Sequence, residues 1–320
     1  MSTPQTPPLH APFAPVFPVR SLQDVQRLEA RPLAEALPVQ STYEIFVNSA
    51  RAFGDKPALT FLPTADPAQV PVRWTYHQLL AGIHQTANLL HHLGVGPQDA
   101  VAVLLPGCLE YHLALWGGEA AGIVQPLNPM LTDEKIAAMM QLARAKVLIA
   151  YGAEGDLGYW SKALRLRALV PTLTTVLRVA PHDESPGAAG PLPAGVVDLA
   201  ERLQHPADRL VSGRRIAGTD IAAYFHTGGT TGAPKLARHS HGAQVFTAWG
   251  CVQMQGMQPQ DVGINGYPLF HVAGVLPGAL AALSAGVETV IPTTSLFRNR
   301  EVIANYWRLV ERYRCTYVSA

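Results

Sequence analysis

"DIAAYFHTGGTTGAPKLARHSHGAQVFTAWG", residues 220–250, passes from an apolar strand through a glycine–threonine run into a helical segment. Small residues between strand and helix let backbone N–H groups turn toward an anion without side-chain obstruction. Thr227, Thr230 and Thr231 add hydroxyl donors, and Lys235 adds a mobile positive charge. Together they suit a polyphosphate. The run is not the nucleotide-triphosphatase pattern G-x-x-x-x-G-K-[ST]: five residues on from Gly228 stands Ala233, Pro234 precedes the lysine, and Leu236 follows it. No Ser or Thr follows the lysine to hold magnesium. Composition alone also allows a flexible glycine turn whose threonines cap neighbouring backbone.

Outward from this run the chain alternates strand and helix. "PALTFL", "RWT", "AVAVL", "IVQPLN", "KVLIAY", "DIAAYFH", "VETVIP" and the final "CTYVSA" have strand character. "YEIFVNSARAFG", "YHQLLAGIHQTANLLHHLG", "LEYHLALWGGEAAG", "TDEKIAAMMQLARA", "SHGAQVFTAWGCVQM", "VLPGALAALSAG" and "NREVIANYWRLVERYR" have helical spacing. The interval implies right-handed βαβ crossovers and an α/β fold, with mostly parallel sheets covered by helices. The expected organisation is a proline-rich extension with a short helix capped by Ser21 (1–40), a first α/β subdomain (41–180), a proline- and glycine-rich linker (181–218), and a second α/β subdomain carrying the glycine run (219–320).

Bulk properties exclude several classes. Hydrophobic residues make up 48% and charged residues 15%, which fits a globular body. A net charge of +1 gives no reason to expect nucleic acid or an anionic membrane as partner. Cys108, Cys251 and Cys315 are far apart with no CxxC pair, which argues against a disulfide framework or zinc site and suits a reducing cytoplasm. No secretory signal and no apolar run of about 18 residues is visible.

"TGGTTGAPK" resembles the phosphate-binding signature of the AMP-forming adenylating superfamily, which includes acyl-CoA synthetases, peptide-synthetase adenylation domains and luciferases. "YPLFHVAG" is similar to a second family motif, P-[LM]-[FY]-H-x-x-G, at about the expected interval. The stretch from "DAVAVLLPG" to "KVLIA", with its "LNP" turn, looks like the upstream core. The resemblance covers most of residues 41–320 and implies the superfamily's large N-terminal domain of stacked βαβ subdomains.

The resemblance implies a two-step reaction. A fatty or aromatic carboxylate attacks the α-phosphate of ATP, with Mg2+, and a thiol, most often that of coenzyme A, then displaces AMP. By motif position, Thr227, Gly228, Gly229, Thr230, Thr231, Gly232 and Lys235 would hold the β- and γ-phosphates. His271 would sit beside the carboxylate, with Phe270 and Gly274 completing the acyl wall; Lys235 and His271 are the expected catalytic pair. His239 and His241 are not expected to bind metal, Asp133 and Glu134 fill a helix first turn after Thr132, and Met139, Met140, Trp249 and Met254 are simplest as core. Leu236–Ala237–Arg238 departs from the family's usual Gly-Val. The family's magnesium-binding glutamate, ribose-binding aspartate and C-terminal lysine are not found, so the chain is expected to be a truncated N-terminal part, inactive alone. The alternatives are a non-catalytic nucleotide-binding or interaction module, and an adenylation domain that loads a carrier protein.

Overall fold

The computed structural model of the protein describes residues 13–185, 190–227 and 235–318. Twelve strands occur among them: β1 (Pro57–Leu62), β2 (Val72–Thr75), β3 (Ala100–Leu104), β4 (Ile123–Pro126), β5 (Ala145–Tyr151), β6 (Thr175–Val179), β7 (Val196–Asp198), β8 (Ile221–His226), β9 (Leu236–Ser240), β10 (Val262–Ile264), β11 (Glu288–Pro292) and β12 (Tyr317–Val318). They form two sheets, of order β7–β6–β5–β3–β4–β8–β9 and β12–β10–β11–β1–β2. Each is parallel except at one edge, where β9 runs antiparallel to β8 and β2 antiparallel to β1.

The parallel arrangement follows from the crossovers. Helix Leu109–Ala121 returns the chain from β3 to β4, helix Asp133–Ala143 from β4 to β5, and helix Tyr159–Leu169 from β5 to β6. Helices on both faces leave no wet side, so β3 reads as the unbroken apolar run AVAVL and is buried throughout. Sheet membership cuts across chain order. β1 and β2 come from the 41–180 stretch yet pair with β10–β12, whereas β8 and β9 join the sheet built by β3–β7. The 181–218 stretch itself contributes β7.

Helix Leu109–Ala121 is the hub of the core, and every residue but Glu110 is buried. A Cβ at Gly117 would stand 2.8 Å from Thr86 Cβ, so only glycine permits this approach to helix Tyr76–His92. Trp116 packs on Phe46 with ring centroids 5.0 Å apart. Helix Tyr76–His92 starts at a capping box, in which Thr75 Oγ1 accepts from Gln78 N at 3.2 Å and Gln78 Oε1 accepts from Thr75 N at 2.9 Å. Thr75→Ala removes one half of this exchange and is expected to cost about 1 kcal/mol in urea unfolding.

Three elements differ from the sequence expectation. The apolar "VLPGALAALSAG" is not one regular helix: a short turn, Val272–Val275, runs into a π-helical stretch, Leu276–Ala281, and then Ala282–Ser284. Pro277, which has no N–H to donate, stands where the i→i−4 ladder changes pitch. The amphipathic "NREVIANYWRLVERYR" is broken at Asn305 into Arg300–Ala304 and Tyr306–Tyr313. Beyond the glycine run the chain first makes β9, and its helix begins only at His241. At the other end, residues 13–20 form neither helix nor strand. They lie on helix His241–Gln255, where Gln253 donates to Ala14 O and accepts from Val16 N, both at 2.9 Å.

Candidate functional site

β8 and β9 form an antiparallel ladder running from Ile221↔Ser240 to His226↔Leu236. At its end Thr227 N donates to Lys235 O at 3.1 Å, and Thr227 Oγ1 contacts the same oxygen at 3.4 Å. Thr227 and Lys235 are therefore held opposite one another, both exposed. Gly228, Gly229, Thr230, Thr231 and Gly232 lie outside the described residues. β8 is parallel to β4, so its carboxyl end opens on the same edge of the sheet as the carboxyl ends of β3 to β6. That edge is where open α/β sheets bind ligands.

The second part of the site follows β10. His271 N donates to Pro268 O at 3.1 Å, and the His271 carbonyl accepts from Gly274 N at 3.0 Å and Val275 N at 3.2 Å. Its exposed ring turns back on its own helix, with Nδ1 accepting from Ala273 N at 3.2 Å. A neutral His271 thus carries its proton on Nε2, which leaves that atom to donate. The turn is stapled by the buried Asn265, whose Nδ2 donates to Gly274 O at 3.3 Å and whose Oδ1 accepts from Tyr267 N at 3.1 Å. Phe270 and Gly274 are both buried.

Behind the turn lies a mostly apolar cavity of about 350 Å3, walled by Ile264, Asn265, Tyr267, Ala273, Pro277 and Tyr317 among others. Neither Phe270 nor Gly274 lines it; of their immediate neighbours only Ala273 does.

His226 joins the two parts. Burial, and after it the neighbouring His271, hold its imidazole below the ordinary histidine range. Its buried Nδ1 has no hydrogen-bond partner among the described residues. The end of β8 and the His271 turn are therefore within electrostatic reach of each other. His226 precedes Thr227 directly, and its one sequence signal is a polar side chain closing an otherwise apolar strand.

Of the residues expected in the core, Met139, Met140 and Trp249 are buried but Met254 is exposed on helix His241–Gln255; the other singled-out residues have structural places. His239 lies on β9 with its ring edge against Phe225, 5.0 Å between centroids. His241 is the first residue of its helix and is buried. Thr132 caps its helix, and Asp133 pairs with Arg165 at 2.5 Å and Lys162 at 3.4 Å. Among the described residues no three His, Cys, Asp or Glu side chains converge to hold a cation, so none of them is assigned to magnesium.

The description "AMP-binding enzyme" matches residues 46–320, most of the chain. The chain belongs to the AMP-binding enzyme family. A marinolic acid–CoA ligase from a Pseudoalteromonas species is 30% identical over 97% of this AMP-binding enzyme chain and 47% of its own length. A crotonobetaine/carnitine–CoA ligase from Escherichia coli is 26% identical over 87% of the chain and 50% of its own length. The chain thus spans about half the length of these curated relatives. An anthranilate CoA ligase solved with anthranoyl-AMP shares the fold, with a TM-score of 0.73 at 21% identity over 89% of this chain and 50% of that one. The N-terminal domain of FACL13 from Mycobacterium tuberculosis does so with a TM-score of 0.69 at 22% identity, covering 88% and 63%.

Proposed function

We propose that the protein to which these residues belong activates a carboxylic acid with ATP as an acyl-adenylate and passes the acyl group to coenzyme A. The observation that carries this is the juxtaposition between the two sheets: Thr227 and Lys235 close the hairpin, His226 at the end of β8 feels the charge of His271, and an apolar cavity lies behind the His271 turn. Catalysis of this kind needs donors and positive charge where pyrophosphate departs, and Lys235 with the run from Thr227 to Gly232 supplies them. His271, donating from Nε2, would orient the carboxylate at the cavity mouth. The apolar lining favours a fatty or aromatic acid. Coenzyme A then releases AMP by thiol attack on the adenylate carbonyl. No helix among the described residues is long and apolar enough to cross a membrane, and the three cysteines are free, which fits work in a reducing cytoplasm.

The full-length protein containing these residues is expected to catalyse carboxylate-dependent ATP–pyrophosphate exchange and to form a thioester from a fatty or aromatic acid and coenzyme A. Exchange that ignores the carboxylate, or no thioester from any acid in such a panel, sinks the proposal. Preferred transfer to a carrier-bound phosphopantetheine would replace coenzyme A as acceptor. Residues 1–320 alone are proposed to bind nucleotide without exchange, because the glutamate, aspartate and lysine that the family resemblance adds are not among them. Lys235→Ala is expected to weaken pyrophosphate binding about tenfold by calorimetry, the loss of one charge-assisted contact.

A further inference from the structure

Beneath the open end of the β8–β9 hairpin lies a buried polar chain that the proposed reaction does not use. Glu119, Thr42, His241 and Gln244 come from three helices, and none is more than 1% exposed. Glu119 Oε2 lies 2.7 Å from Thr42 Oγ1, and Glu119 Oε1 accepts from Gln244 Nε2 at 2.8 Å. Thr42 Oγ1 lies 2.9 Å from His241 Nδ1, and the Thr42 backbone N–H points at the same nitrogen at 3.4 Å. His241 Nε2 has no partner among the described residues. The other charged groups here are Arg214 and Asp220. Arg214 donates to the carbonyls of Glu119 and Ala120 at 3.2 Å and pairs with Asp220 at 3.4 Å. Asp220 O in turn accepts from His241 N at 2.9 Å.

One threonine hydrogen cannot serve both neighbours. When Glu119 is ionised, the Thr42 hydroxyl donates to the carboxylate; the shorter 2.9 Å contact between Thr42 Oγ1 and His241 Nδ1 is then a hydrogen bond only if His241 donates from Nδ1, which gives up the longer contact with the Thr42 N–H and leaves Nε2 a bare acceptor. When Glu119 is protonated, its O–H donates to Thr42 Oγ1, and Thr42 then donates to an unprotonated Nδ1. That nitrogen also accepts the Thr42 N–H, and the imidazole proton sits on Nε2. The two states interconvert by one proton. When a proton reaches the buried Nε2, the Nδ1 proton passes to Thr42 Oγ1 and the Thr42 proton passes to Glu119 Oε2. One proton enters, none leaves, and no electrons move.

We propose that Glu119, Thr42 and His241 form a buried proton relay at the base of the β8–β9 hairpin, whose state sets how the hairpin bearing Thr227 and Lys235 is anchored. Its importance for nucleotide handling rests on the function proposed above; the relay itself does not. His241 follows β9 directly and Asp220 precedes β8, so a change at this junction bears on both strands. Burial, outweighing the hydrogen bonds from Thr42 and Gln244, pushes the Glu119 carboxyl up to about 7. Burial first, then Arg214, holds His241 down to about 4, so it stays neutral in both states.

Histidine-labelled nitrogen NMR of residues 1–320 between pH 5.5 and 8.5 tests the relay without nucleotide. The His241 signal, assigned by its loss in His241→Asn, is expected to change from the Nε2–H to the Nδ1–H tautomer as pH rises. The amides of Thr227 and Lys235 should shift with the same midpoint. In Glu119→Gln, whose amide N–H₂ faces Thr42 as the protonated acid does, His241 should hold the Nε2–H form throughout. Thr42→Val, close in shape, should uncouple His241 from Glu119 and remove the shared midpoint from the hairpin amides. A single His241 tautomer across the range, or hairpin titration unchanged in both variants, overturns the proposal. Failure of the acid-activation reading would appear separately, as absent exchange in the full-length protein with the tautomer change intact.

Discussion

Folding stability is expected to fall by about 4 kcal/mol between pH 6.5 and pH 3 on account of His112 alone, and His112→Leu is expected to remove that loss. His112 is 1% exposed within helix Leu109–Ala121, and its Nδ1 has no partner among the described residues. Burial pushes its imidazole down to about 3 from an ordinary 6.5. A base with a depressed native pKa leaves the folded state short of protons relative to the unfolded chain. The stability it permits is nearly complete above pH 6.5, is lost steadily as pH falls from 6.5 to 3, and falls no further below that. At pH 4.5 the loss already reaches about 3 kcal/mol, a large part of an ordinary domain's margin. Urea unfolding of both proteins at pH 7.5 and 4.5 decides the matter. The variant should be near wild type at the higher pH, because leucine fills similar space and leaves no polar atom unpaired. Parallel curves at both pH values would show that His112 is hydrated in solution. His241 pulls in the same direction and Glu119 in the opposite one, but both are common to the two proteins and cancel in the comparison.

Gly274→Ala should lower adenylate formation by the full-length protein by about 100-fold and destabilise the domain by about 1–3 kcal/mol. The added Cβ would stand 2.5 Å from Pro268 O, 3.0 Å from Pro268 C and 3.1 Å from Tyr267 O. These are backbone atoms, so no side chain can swing aside. Pro268 O is also the acceptor for His271 N, and Gly274 O holds the Asn265 amide. Opening the turn therefore moves His271 itself. Gly250→Ala is the control, since a Cβ there meets nothing within 4 Å and the site lies inside helix His241–Gln255. It should stabilise by about 0.5–1 kcal/mol and leave catalysis unchanged. Unimpaired exchange in Gly274→Ala would separate His271 from the chemistry.

Much of the architecture was legible because periodicity and punctuation agreed. The caps at Ser21 and Thr132 and the stop at Gly54 mark helices that the structure contains. What escaped was governed by long-range pairing. β9, "LARHS", is half exposed and carries arginine and histidine, so nothing local calls for a strand; its order comes from β8 alongside. Tyr159–Leu169 and β6 were not picked out, and β7 lies in the stretch expected as a linker; polar residues there are satisfied by partners on other segments. Arg178 on β6, for example, pairs with Asp198 at 3.1 Å and with Glu184. At the site, Thr227, Lys235 and His271 stand out by motif, whereas His226 and Asn265 do not. Their roles depend on which turn faces which strand end, and one residue's type does not carry that information.

The insertion of β1 and β2 into the sheet of β10–β12 also governs how the chain can be made. Lys56, beside β1, reaches the carbonyl of Gly286, 230 residues later. During synthesis, those intervening residues take on the order of 10–50 s to emerge. Throughout that interval β1, five of whose six residues are buried in the finished protein, has no parallel partner to join. The seven-stranded sheet can begin to assemble from nearby pieces, while the first strand waits as an exposed apolar edge. Until residue 292 has been made, that edge of β1 lacks the strand that covers it in the finished protein.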